Sequence, residues 1–98
     1  MVAVVAAGHI RLQLPMSHSL KDKRQVLRSL QSRLRDEFRI SIAETGAQDS
    51  WQTAELTIAC AASDANYARA TLEKIADFIE EFHLPVSIVS AESEMIYF

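Results

Sequence analysis

The sequence predicts one α+β domain built as a βαββαβ sandwich, with four antiparallel strands and two helices on one face of the sheet. Three observations lead there: two amphipathic segments of helical period, four segments of strand period around them, and capping or turn residues at the junctions. The chain has 98 residues, 49% of them hydrophobic, so a single domain over residues 1–98 builds a core without metals or disulfides.

Residues 2 to 14 read as the first strand, because Ile10, Leu12 and Leu14 alternate with His9, Arg11 and Gln13. Pro15 ends it. Ser19, with Asp22 three positions on, forms an acidic variant of the capping box, and the helix it starts runs to about Phe38. Leu20, Leu27, Leu30, Leu34 and Phe38 make its apolar stripe. A strand from Arg39 to Thr45 carries Ile40 and Ile42 inward, Thr45 to Ser50 is a hairpin loop, and a third strand begins near Trp51. In it Ala54, Leu56, Ile58 and Cys60 alternate with Thr53, Glu55 and Thr57. Ser63-Asp64 caps a second helix with Ala68, Leu72, Ile75, Ile79 and Phe82 at helical spacing, and His83-Leu84-Pro85 stops it. The last strand starts at Val86 and continues through Glu92, Glu94 and Ile96. Two β-α-β halves joined by right-handed crossovers put both helices on one side of the sheet, the ferredoxin-like arrangement.

The apolar start, Met1 to Ala7, has no basic n-region and stops at Gly8-His9, so it reads as a buried strand rather than a secretory signal. No segment approaches the roughly 18 apolar residues that cross a bilayer. The single Cys60 has no partner in the chain. A soluble, cytoplasmic protein with no membrane association is expected.

The sheet face away from the helices is the first informative surface. In strand one it shows Ala3, Val5, Ala7, His9, Arg11 and Gln13, and in strand three Thr53, Glu55, Thr57, Ala59 and Ala61. One end is small and apolar, the other polar, with His9, Arg11 and Glu55 expected to form a cross-strand cluster. An apolar patch of this kind suits a partner surface, and Ala3, Val5, Ala7, Ala59 and Ala61 are the expected homodimer face. It lacks the aromatic residues on which an RNA-recognition module stacks bases, so any RNA contact uses another surface.

Charge marks the second surface. The net charge is -3, yet seven of the ten basic residues fall between Lys21 and Arg39, against three acidic ones, a local surplus of +4. Residues 64 to 82 hold two basic and five acidic residues, a local -3. At about 100° per residue, Lys21, Arg24, Arg28, Arg35 and Arg39 share one sector of the first helix, beside the leucine stripe. That sector is either a solvated helix face or a ridge that follows phosphates.

Three further features carry a structural and a functional reading side by side. His18, Ser19 and Lys23 either cap and brace the helix start or hold an anion at its free N–H groups. Lys23, turned toward the apolar side, is placed to pair with Asp49 or Glu44. Trp51 either stacks a base or clamps the hairpin against the start of the first helix through its indole N–H.

The run Leu14-Pro15-Met16-Ser17-His18-Ser19-Leu20-Lys21-Asp22-Lys23-Arg24, then Ile42-Ala43-Glu44 and Gln48-Asp49-Ser50-Trp51-Gln52, resembles the YlxP-like family of small bacterial proteins of unknown function over essentially the whole chain. The resemblance implies a ferredoxin-like domain and no established activity. Genes of such proteins often lie among those for translation and ribosome maturation, which implies an RNA or ribosome partner by association alone. The hairpin here, with Thr45-Gly46-Ala47 before Gln48-Asp49, is less acidic than the family's pattern, which weakens any metal role there.

Catalysis is not indicated. His9, His18 and His83 lie on separate elements without ligand spacing, and Cys60 is expected to be buried. Two glycines make no phosphate-binding loop. An acylphosphatase-type cradle needs an Arg after strand one, where this chain has Pro15-Met16-Ser17-His18. The expectation is a non-enzymatic binding domain with no cofactor, metal or small-molecule substrate, acting on RNA or a ribonucleoprotein through the first helix. The alternative is a protein-interaction module that assembles through its open sheet.

Overall fold

β1 (Val4–Gln13) alternates buried and exposed residues along its length, and both neighbouring strands pair with it. The computed structural model describes residues 3–98; the first two residues of the predicted first strand region, Met1 and Val2, lie outside the described residues. The order continues with α1 (Leu20–Glu37), β2 (Ser41–Gly46), β3 (Thr53–Ala62), α2 (Ala65–Glu80) and β4 (Ser87–Tyr97). The sheet is antiparallel in the order β2-β3-β1-β4, as the split βαβ topology requires.

The core lies between the sheet and the helices. Ile10, Leu12, Leu56 and Ile58 meet Leu27, Leu30 and Leu34 of α1 and Ile75 and Ile79 of α2. A smaller cluster of Val4, Ala6, Cys60 and Ala68 closes one end, so the lone cysteine is a buried small hydrophobe. Phe38, Phe78 and Phe82 pack edge on and tilted at 6.1 Å between neighbouring ring centroids, joining the ends of the two helices.

Both helices begin on side-chain caps. Ser19 Oγ accepts from the Asp22 amide at 3.0 Å. The Asp22 carboxylate accepts from the His18 amide at 3.0 Å, one residue before the Ser19 amide that a full capping box would engage. Asp64 caps α2 through the Asn66 amide, also at 3.0 Å.

The structure refines the sequence expectation at element ends and in the α1 stripe. α1 stops at Glu37 because Phe38 turns extended, so Arg39 is not on the helix. Leu20 is only half-buried and outside the core, whereas Lys23 is buried in the α1 stripe. Trp51 precedes β3 rather than starting it. α2 ends at Glu80, and Phe82 packs on the core from beyond it.

Candidate nucleic-acid interface

α1 lays its apolar stripe on the sheet, which leaves the adjacent sector facing solvent beside the edge strand β2. Lys21, Arg24, Arg28, Arg33 and Arg35 are all exposed there or on the outer helix face. A shallow groove of about 210 Å³ runs between α1 and β2, lined by Arg24, Leu27, Arg28, Gln31, Arg35 and Glu44. Arg35 donates to Gln31 Oε1 at 3.3 Å, one helical turn away. Among the described residues, no carboxylate comes within 4.0 Å of Lys21, Arg24, Arg28, Arg33 or Arg35.

Glu44 is the one carboxylate in the groove wall, and Lys23 answers it from below. Lys23 is only 2% exposed. Its ammonium lies 3.1 Å from Glu44 Oε2 and donates to the carbonyls of Ala47 at 2.8 Å and Thr53 at 3.1 Å. The Glu44 contact is an ion pair rather than a well-directed hydrogen bond, since Oε2 is shielded from solvent and has no aligned donor. With its carboxylate neutralised by Lys23, Glu44 leaves the positive charge of Arg24, Arg28 and Arg35 uncancelled.

This arrangement separates the residues grouped by sequence as an anion site. The Lys23 ammonium points to the hairpin, the Ser19 hydroxyl is occupied by the helix cap, and the Asp22 carboxylate sits at the His18 amide. His18, Ser19 and Lys23 therefore brace the start of α1 instead of converging on one ligand. The hairpin is tied to the segment before α1 by Gln52, whose amide donates to the carbonyls of Ser17 at 3.1 Å and Pro15 at 3.4 Å. Trp51, next to it, stands 55% exposed at the amino end of the ridge.

Arg39 sits apart from the groove arginines. It lines a cleft of about 460 Å³ between the end of α1, the end of β3 and the start of α2, with Glu37, Phe38, Ser63, Asp64 and Tyr67 among its walls. The helical wheel put Arg39 on the ridge by carrying the helical period past Phe38, where the backbone turns extended. Tyr67, 62% exposed, escaped the sequence reading although its place one residue off the Ala68 core position marks it as outward-facing.

The open sheet face carries the residues expected of it, and the structure supplies their register. Val5 stands opposite Ala61, Ala7 opposite Ala59 and Arg11 opposite Glu55. Glu55 Oε1 lies 3.2 Å from His9 Nε2 and 3.5 Å from Arg11 Nη1, and Gly46 faces Glu55 across the register. A Cβ at Gly46 would collide with that carboxylate, so the glycine makes room for the polar cluster. β4 adds Ile96 opposite Val5, and Phe98, 77% exposed, donates its amide to the Ala3 carbonyl at 2.9 Å. These two large residues extend the small apolar patch of Ala3, Val5, Ala7, Ala59 and Ala61.

Among the described residues, no three His, Cys, Asp or Glu side chains converge to hold a metal ion. No helix among them is long and apolar enough to cross a membrane.

The "Uncharacterized protein YlxP" of Bacillus subtilis (strain 168) is 38% identical over 64 residues, 65% of this chain and 70% of that protein. The de novo designed protein Foldit4 aligns with a TM-score of 0.47 at 14% identity, over 98% of this chain and 96% of its own. The family described as "Protein of unknown function (DUF503)" matches residues 5–93, and this chain belongs to that family.

Proposed function

We propose that this chain is a non-enzymatic RNA-binding domain that docks on RNA or a ribonucleoprotein such as the ribosome through the α1 ridge. One observation carries the reading: Arg24, Arg28 and Arg35 line a single groove and, among the described residues, have no carboxylate partner. Planar guanidinium groups along a helix edge suit phosphate oxygens, and each phosphate they neutralise releases a counterion. Lys21 extends the row at its amino end, and Arg39 stands beyond its carboxyl end. Such a partner implies a cytoplasmic location.

The test replaces Lys21, Arg24, Arg28 and Arg35 together by Gln and titrates structured and single-stranded RNA at two salt concentrations. Wild-type affinity falls steeply with salt, by a log–log slope of about -3 for four phosphate contacts on a single strand. The variant loses at least tenfold in affinity at low salt while melting normally, since Gln is nearly as good a helix former as Arg. Salt-indifferent binding by the wild type, or undiminished binding by the folded variant, overturns the reading.

A second reading is favoured by Ile96 and Phe98. They complete an apolar patch on the open sheet in which large residues of one copy fit against Ala7, Ala59 and Ala61 of another. On this reading the chain is a homodimer assembled through its open sheet, an arrangement that leaves the α1 ridge free.

A further inference from the structure

We propose that the outer edge of β4 binds an extended peptide in which apolar residues alternate with Lys or Arg, adding it to the sheet as a fifth strand. Among the described residues, β4 is an edge strand that pairs only with β1. The register from Arg11↔Ser90 to Val4↔Tyr97 is unbroken, and the bulge at Val89 lies before it. The outer side of that stretch offers a row of backbone donors and acceptors with no strand beside it, the template for β-strand addition.

The two faces of the edge specify the side chains of the guest. On the helix side, Ala91 and Ser93 stand beside α2, and a largely apolar groove of about 180 Å³ is lined by Ile10, Leu72, Ala76 and Ala91, with Glu73 also in its wall. α2 lies over β1 with β3 and β4 to either side and forms one wall of this groove, yet it leaves Ala91 and Ser93 exposed. On the open side, Glu92 and Glu94 are exposed, with no ion pair among the described residues. Successive side chains of an added strand point to opposite faces. A guest with apolar residues toward the groove therefore presents its other residues to Glu92 and Glu94, and cations there are favoured.

Charge also disfavours a second copy as the occupant. Antiparallel pairing of β4 with itself about Ser93 sets Glu92 of one copy against Glu94 of the other, and like charges directly opposite destabilise a ladder. The other sheet edge, β2, carries Glu44 and no basic residue between Ser41 and Gly46, so it provides no cation either. The guest is thus a segment of a different, basic protein. This site is on the side of the sheet remote from the α1–β2 groove, so it stands or falls separately from RNA binding.

The probe is a blocked Val–Lys repeat of about eight residues, a typical strand length. It is titrated against 15N-labelled protein beside a Val–Glu repeat and a Val–Lys repeat N-methylated on alternate residues. Saturable shifts of the Ser90–Ile96 amides with Val–Lys, at least tenfold weaker binding of both other peptides, and a tenfold loss in the Glu92→Lys, Glu94→Lys double variant are expected. Equal binding of the N-methylated peptide means simple charge attraction without strand addition and overturns the proposal. So does absence of Val–Lys binding, which leaves the two glutamates as guards of a bare edge, and so do shifts that map away from β4.

Discussion

Lys23 shows how one side chain connects folding to the surface above it. A buried ammonium has a high desolvation cost, and here two carbonyls and one carboxylate offset it. The Ala47 carbonyl it holds belongs to a residue with φ of 55°, a left-handed conformation unfavourable for a non-glycine residue by about 1 kcal/mol. Replacing Lys23 by Met removes the donor from both carbonyls and the counter-charge from Glu44. The expected cost is about 3 kcal/mol, at the lower end for breaking a buried pair because the Glu44 side chain remains partly exposed. Urea unfolding measures it, and a loss below about 1 kcal/mol would show that the lysine does not organise the hairpin. An ion pair with Asp49 or Glu44 was legible from the inward position of Lys23 on the helical wheel, and the structure selects Glu44. The bonds to Ala47 and Thr53 were not, since backbone carbonyls leave no mark in a sequence.

Among elements, α1 carries most of the functional argument, and its two ends fared differently. The amino end was legible because a cap is a local device: Ser19 and Asp22 are three residues apart, and their bonds need only one turn of helix. Ser19→Ala is expected to cost about 1 kcal/mol, a fall in Tm of roughly 4–8 °C for a domain of this size. A thermal melt unchanged by that substitution would remove Ser19 as the effective cap. The carboxyl end was read to within a residue, but Arg39 was carried onto the helix beyond it because nothing local stops the helix there. Phe38 leaves the helix to pack on Phe78 and on the core, a tertiary preference, and Arg39 leaves with it. β4 gives the same lesson at the sheet edge. Its period of two was readable, while the poor cover that α2 gives it depends on where that helix lies across the sheet.

At the scale of the whole molecule, the shape is a slab of 48 × 23 × 18 Å. Its shortest dimension holds one sheet and one layer of helices, each helix being about 10 Å across, so the sheet keeps one face free of protein. The apolar end of that face predicts self-association. Val5→Glu introduces a charge opposite Ala61 and Ile96, and it is expected to shift the mass in light scattering from dimer to monomer with an unchanged helical signal. A wild-type monomer at high concentration defeats the idea. The slab is also polarised, with the cationic α1 beside β2 at one edge and the acidic residues of α2 and β4 toward the other. Nucleic acid and a basic peptide are therefore suited to opposite edges of one small domain.

Periodicity, caps and turn residues by themselves determined the element order, the buried faces of the strands and helices, and the antiparallel sheet whose open face carries Val5, Ala7, Ala59 and Ala61. Those features follow from local chemistry repeated along the chain, where a period of two or 3.6 leaves few topologies that bury every apolar face. Only the tertiary structure decided that Lys23 neutralises Glu44 beneath the arginine groove, that Arg39 belongs to a separate cleft, and that Ile96 and Phe98 enlarge the open face. Each of these depends on residues far apart in sequence meeting across the sheet, and such meetings are set by packing rather than by any neighbour along the chain.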